Sequence, residues 1–225
     1  MKFQALVFDL DDTLMDTHGQ LVSEAHWQAC LAMHATGLNV PINDLFATRM
    51  RLLKEQPRAD IDLILAHYYD CQNPAVIAAG HKTYFNPHIS HLDPFPGVPE
   101  MLAHLKEDHK LFLVTSGYEQ TQARKIDVLG LRDYFEEVCY APVGNPRGKE
   151  EALKYLSQKY ALDYTSMVVI GDRISNEIAT GNRLGCPTIW IRHGECAHIL
   201  PEGPHEEPDL STDSVTQIPL LLQQL

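Results

Sequence analysis

Phe3-Gln4-Ala5-Leu6-Val7-Phe8-Asp9-Leu10-Asp11-Asp12-Thr13 is a mostly apolar run that stops abruptly at three carboxylates. A short segment of this kind predicts a strand buried on both faces in a parallel sheet. In open α/β sheets ligands bind in the crevice beyond the carboxyl ends of the strands, where these acids would lie. If the strand continues that far, Asp9 and Asp11 point the same way, because alternate residues share a face. Carboxylates crowded together repel. Mg²⁺ suits them, since it takes hard oxygen ligands and can also hold a substrate phosphate. A helix cap by Asp12, Thr13 or Asp16 would account for one such group, not for three acids after a buried strand.

Downstream, residues 19–85 lose the strand signal. Leu21, Ala25, Ala29, Ala32 and Met33 fall on one helical face, and Pro41 is placed to open a second helix carrying Leu45, Leu52 and Leu53. Further helices are expected over 58–68 and 74–84, and four helices with short links predict a small bundle. Alternation then resumes. Helices are expected over 97–109, 118–129, 148–160 and 174–184, and strands over 110–115, near Val138, and over 166–171 and 187–191. A loop at 194–208, a strand at Asp209-Leu210 and a helix from Val215 complete the chain. The pattern predicts an α/β fold, a doubly wound parallel sheet with a helical insertion. The core is expected over 1–15 and 93–225 and the inserted domain over 16–92.

The 225 residues can bury a sizeable core. A net charge of −12 argues against a binder of nucleic acid or anionic membrane, and any anionic substrate would need a local positive trap. No apolar run approaches the roughly 20 residues that span a bilayer, and no signal peptide is apparent. The five cysteines are scattered and odd in number, the pattern of reduced thiols in a cytoplasmic protein. Cys139 and Cys186 sit in apolar, strand-like contexts and read as core. Among twelve histidines, His81, His88 and His91, and His193 and His198, lie close in sequence, but none forms a ligand pair with a matching second pair, so no zinc site is expected. Trp27 and Trp190 read as packing residues, Trp27 being also a candidate substrate contact.

Later strands also end in polar residues. Leu111-Phe112-Leu113-Val114 runs into Thr115-Ser116-Gly117, where a hydroxyl with small neighbours lets backbone N–H groups approach a phosphate. Met167-Val168-Val169-Ile170 runs into Gly171-Asp172, so that Asp172 with Asp9 and a backbone carbonyl from Asp11 could complete a magnesium site. Lys149 begins a helix, where a cation opposes the dipole. That placement calls for a neighbouring anionic pocket, a role for which Arg147 competes.

Taken in order, these four segments resemble the haloacid dehalogenase-like hydrolase superfamily over essentially the whole chain. The motifs are Phe8-Asp9-Leu10-Asp11-Asp12-Thr13, Val114-Thr115-Ser116-Gly117, Lys149 and Ile170-Gly171-Asp172. The helical insertion resembles the four-helix cap of the family's subfamily I. Only about thirty residues separate Gly117 from Lys149, the length of the βαβ links themselves, which leaves no room for the other cap type. One departure stands out. The family often places a second acid four or five residues after the last motif's aspartate, where this chain has Asn176 and Glu177. Glu177 would either meet the metal through water or orient Lys149.

The resemblance implies a Mg²⁺-dependent phosphatase acting on a small phosphorylated metabolite. Asp9 would attack phosphorus and Asp11 would serve as acid, then base. Thr115, Ser116, Gly117 and Lys149 would hold the phosphoryl oxygens, Asp9, Asp11 and Asp172 would hold the metal, and Thr13 would orient the first loop. Dehalogenases and phosphonate-cleaving members lack an aspartate at the Asp11 position, so its presence favours phosphate esters. A phosphomutase, needing a bisphosphate activator, and a non-catalytic binding module are the alternatives. In the cap, Arg49, Arg51, Lys54 and Arg58 form a basic stretch. It reads as a solvated helix face, or as the source of a contact to a second anionic group of the substrate.

Overall fold

The apolar runs read above become the strands of one sheet. The computed structural model describes residues 2–56, 59–142 and 144–225. Its strands are β1 (Ala5–Phe8), β2 (Lys110–Ser116), β3 (Glu137–Ala141), β4 (Met167–Gly171), β5 (Thr188–Ile191) and β6 (Leu210–Thr212). All pair in parallel, in the order β3-β2-β1-β4-β5-β6. The helices α1 (Ser23–Ala35), α2 (Ile42–Glu55), α3 (Ile61–Tyr68) and α4 (Pro74–Phe85) all fall between β1 and β2. They are followed by α5 (Val98–Lys106), α6 (Glu119–Val128), α7 (Gly148–Tyr160), α8 (Ala179–Leu184) and α9 (Ile218–Leu221). The chain divides into two compact units, one made of His91–Leu225 with the segment up to His18, the other Gly19–Ser90.

In the first unit the strand order reverses between β1 and β4, the switch point at which α/β sheets bind ligands. Asp9 follows β1 and Asp172 follows β4, so the topology alone brings two acids to one crevice. The ladder runs one residue past β1, with the Asp9 N–H donating to the Ile170 carbonyl at 2.9 Å. It does not reach Asp11. The Leu10 carbonyl accepts from both Thr13 and Leu14, and Asp12 turns the backbone with a left-handed φ of 55°. The expectation that Asp9 and Asp11 share one face of an extended strand is therefore corrected. A second difference lies after β4, where Ile174–Ile178 forms a π-helical turn before α8 instead of continuing one α-helix. Such widened turns occur often at functional sites, and Glu177 sits in this one.

The helical unit is held by conventional means and one unusual one. Asp60 caps α3 by accepting from Leu63 N–H at 3.0 Å, and Asn73 caps α4 in the same way just before Pro74. Cys30, Met33, Leu45, Leu52, Leu65 and Val76 form its core, and Trp27 packs edge-on against Phe46. Arg49 is fully buried within it. Its Nη1 lies 2.6 Å from Asp62 Oδ1 on α3, its Nε donates to His26 Nδ1 on α1 at 3.0 Å, and its guanidinium lies over the Tyr84 ring of α4. The basic stretch is thus no single solvated face. Arg49 is a core residue, Arg51 pairs with exposed Glu55 at 3.0 Å, Lys54 is exposed, and Arg58 lies outside the described residues.

Candidate active site

The crevice between β1 and β4 holds four charged side chains, each at least nine-tenths buried: Asp9, Lys149, Asp172 and Glu177. Lys149 enters from the first turn of α7 and donates to Asp9 Oδ1 at 2.5 Å and to Glu177 Oε1. Its unfavourable place at a helix start is offset by these two carboxylates, whereas Arg147 is exposed. Glu177 reaches inward from the π-helical turn, with Oε2 accepting the Arg173 N–H at 3.0 Å. Gly171 makes this possible, because a Cβ there would overlap the Glu177 side chain. Trp190 on β5 donates its indole N–H to the Asp172 carbonyl at 2.8 Å and so ties down the backbone at that acid.

Oxygens of Asp9, Asp172 and Glu177 all lie within 4.8 Å of one another. Burial pushes the Asp9 carboxyl up to about 7, against the pull of Lys149, and the Glu177 and Asp11 charges add to the rise. Burial also raises Asp172, to about 9, with Asp9 and Glu177 contributing. For Lys149 burial alone would lower the pKa, but Asp9 and Glu177 outweigh it and hold the ammonium above its ordinary range. Three carboxylates face one ammonium, an excess of two negative charges, with Arg173 Nε only at 4.0 Å from Asp172 on the exposed rim. Hard oxygens with that charge excess fit a divalent cation.

Asp11 belongs to a different cluster. Its Oδ1 accepts from Lys125 Nζ at 2.7 Å and Thr17 Oγ1 at 2.5 Å, and its Oδ2 accepts from Gln122 Nε2 at 2.8 Å. Burial would raise this carboxyl, but the Lys125 charge and the hydrogen bonds from Lys125, Thr17 and Gln122 bring it below its ordinary value. Gln122 also donates to Thr115 Oγ1. Asp12 acts as a cap, accepting from the N–H groups of Thr17 at 2.9 Å and His18 at 3.2 Å. Thr13 is buried and its hydroxyl has no hydrogen-bond partner among the described residues. The loop is therefore held by Asp12 and the Leu10 carbonyl, not by the Thr13 hydroxyl.

Of the residues expected at the site, the structure brings Asp9, Lys149, Asp172 and Glu177 into one cluster and joins Asp11 to Thr115 through Gln122. Ser116 is exposed at the end of β2. The Gly117 N–H is already committed to the Ala141 carbonyl at 3.1 Å, so Gly117 offers space instead of a free donor. Sequence reasoning missed Gln122, Lys125 and Thr17. A signal existed for two of them. Thr121, Gln122, Lys125, Ile126 and Leu129 recur at the spacing of one helical face, so an amide and an ammonium occupy positions where α6 should present apolar groups.

A family model described as haloacid dehalogenase-like hydrolase matches residues 6–191. Among curated proteins, the chain is 28% identical to a glyceraldehyde 3-phosphate phosphatase of Methanopyrus kandleri, over 99% of this chain and 98% of that enzyme. It is 25% identical to the human N-acylneuraminate-9-phosphatase, over 100% of this chain and 95% of that one. Among solved structures, a 2-haloacid dehalogenase from Pseudomonas syringae superposes with a TM-score of 0.63 at 23% identity, covering 99% of both chains. That likeness speaks to the fold alone.

Proposed function

The chain belongs to the haloacid dehalogenase-like hydrolases, and on that premise we propose that it is a Mg²⁺-dependent phosphatase of small phosphorylated metabolites. The buried cluster of Asp9, Asp172, Glu177 and Lys149, with Asp11 held apart from it, carries this reading. Asp9 is the nucleophile. One of its oxygens attacks phosphorus as the bond from phosphorus to the leaving oxygen breaks, giving an aspartyl phosphate. Asp11, a carboxylate in the resting site, must first take up a proton, which it gives to the leaving alkoxide, and it then takes one from the water that attacks the phosphorus and restores Asp9. Lys149 and the Thr115 hydroxyl stabilise the phosphoryl oxygens. Asp9, Asp172 and the Asp11 backbone carbonyl would hold Mg²⁺, which supplies positive charge against those oxygens when bound. Glu177, bonded to Lys149 and to the Arg173 N–H, supports the reading in which it orients Lys149.

Residues 16–92 act as an inserted cap domain, and substrate choice resides there. Near-full-length similarity to enzymes named for glyceraldehyde 3-phosphate makes that triose phosphate the first substrate to test. The scattered, odd-numbered cysteines support residence in the reducing cytoplasm. No helix among the described residues is long and apolar enough to cross a membrane. The deciding experiment measures Mg²⁺-dependent release of inorganic phosphate over a panel including glyceraldehyde 3-phosphate, sugar phosphates and nucleoside monophosphates. Asp9→Asn should lower turnover on the order of a thousandfold or more. Asp11→Asn should lower it by roughly 10²–10⁴. Wild-type rates in Asp9→Asn would overturn the assignment.

A further inference from the structure

We propose that Gln122 is a positioning residue that aligns the phosphate-binding hydroxyl of Thr115 with the acid/base carboxylate of Asp11. The inference rests on the phosphatase reading and goes beyond it by assigning work to a residue on α6 outside the four motifs. Gln122 is 2% exposed, and its amide nitrogen donates both to Asp11 Oδ2 at 2.8 Å and to Thr115 Oγ1. A carboxylate paired with an ammonium only accepts hydrogen bonds, so the nitrogen end of the amide must face Asp11. The same nitrogen carries the second N–H, and Thr115 must then accept it. A hydroxyl that accepts there has its single proton left to give elsewhere, which is the state required of a group that donates to a phosphoryl oxygen.

The bridge is built into the local fold. Gly117 has a φ of +151°, and a Cβ at that position would sit 2.9 Å from Gln122 Cγ, closer than packed carbons approach. Lys125, three residues further along α6, fixes the other oxygen of Asp11. Two side chains of one helix face thus hold both oxygens of the acid/base group, and Gln122 alone extends the link to Thr115. Methionine matches its length without its donors, and so removes the bridge while filling the space.

The test compares wild type, Gln122→Met, Thr115→Val and the double variant for kcat, KM and inhibition by inorganic phosphate, with thermal melts as a fold control. Gln122→Met should lower kcat by roughly 10–100-fold, the cost of a misplaced reacting group, and weaken phosphate inhibition. Because it acts on phosphate through Thr115, it should weaken phosphate inhibition no further in the Thr115→Val background. Wild-type values within about twofold in Gln122→Met, or a full multiplicative effect on phosphate inhibition in the double variant, would overturn the proposal. Should Gln122→Met fail to fold, Gly117→Ala displaces the same amide without removing it and must show the same non-additivity with Thr115→Val. A wild-type protein that releases no phosphate from any substrate removes the phosphatase reading and this proposal with it. An active wild type with an unaffected Gln122→Met removes this proposal alone.

Discussion

Arg49 and Arg51 lie two residues apart on α2, and their surroundings predict opposite consequences for losing the partner acid. Arg49 and Asp62 meet at 2.6 Å with side chains 0% and 2% exposed. At an effective dielectric of about 20 their attraction is about 6 kcal/mol, most of it spent on desolvating both charges. Asp62→Leu removes the attraction and leaves the desolvated guanidinium. Its Nε still meets His26, but its Nη2 has no hydrogen-bond partner among the described residues. The expected loss is about 3–5 kcal/mol. With a urea slope of roughly 2–3 kcal/mol/M the midpoint should fall by roughly 1–2.5 M. Glu55→Gln, which breaks the half-exposed Arg51 pair, should leave the midpoint unchanged, since surface pairs contribute little. Replacing both partners, Arg49→Met with Asp62→Leu, should recover most of the loss, because neither charge of the pair then remains buried. Urea unfolding followed by circular dichroism reads all three. A midpoint for Asp62→Leu close to wild type, or a double variant as unstable as the single, would show that the buried guanidinium is stabilised by something other than Asp62.

Three further outcomes follow from the site. In chelator, Asp9 and Asp172 hold protons in the folded chain at pH values where the unfolded chain, with carboxyls near 3.8, has released them. The folded state binds more protons, so these two acids make stability fall as pH rises from 6 to 9; added Mg²⁺ should reverse the fall, and thermal melts rising with pH in chelator would contradict it. Gly171→Ala places a methyl group against the Glu177 side chain and should lower kcat at least about tenfold by moving Glu177 off Lys149. Unchanged phosphate release would dissociate Glu177 from the work of Lys149. Lys149→Met leaves three facing carboxylates without their ammonium, so it should lower kcat more than Gly171→Ala does while tightening the response of stability to added Mg²⁺; Mg²⁺-insensitive melts would contradict that.

Much of the fold was legible because its signals are local. The run Leu6-Val7-Phe8 before Asp9, and Val168-Val169-Ile170 before Gly171-Asp172, are short β-branched and apolar stretches that suit the middle of a sheet, and they became β1 and β4. Four helices between β1 and β2 were readable from apolar spacing and from Pro74. What escaped depends on partners distant in sequence. Arg49 read as surface because charged residues seldom lie fully buried, and nothing in the local pattern announces that Asp62 and His26 will meet it. Glu177 was readable as a neighbour of the metal or of Lys149, but the route by which it reaches Lys149, the π-helical turn and the bare Gly171, has no period to detect. Lys125 and Gln122 were visible as polar interruptions of an apolar stripe, but only the turn at Asp12 sends Asp11 toward them.

That turn has a chemical consequence. Asp9 and Asp11 are two residues apart, and an extended strand would have given them one environment and one tendency to ionise. With the strand ended at Phe8, Asp9 sits among Asp172, Glu177 and Lys149, whereas Asp11 sits among Lys125, Thr17 and Gln122. The first carboxyl is pushed up to about 7 and the second is held low. In the metal-free chain these environments run against the proposed tasks, since Asp9 must lose a proton to attack and Asp11 must gain one to act as acid. The opposition also decides where a cation is needed. Around Asp11 one ammonium already balances one carboxylate, so a divalent ion would gain little there. Around Asp9 three carboxyls face one ammonium and burial pushes the Asp9 carboxyl up to about 7, so a cation bound there would favour its ionised form. The charge excess that a cation would meet is a property of the β1–β4 crevice that the α6 cluster does not share.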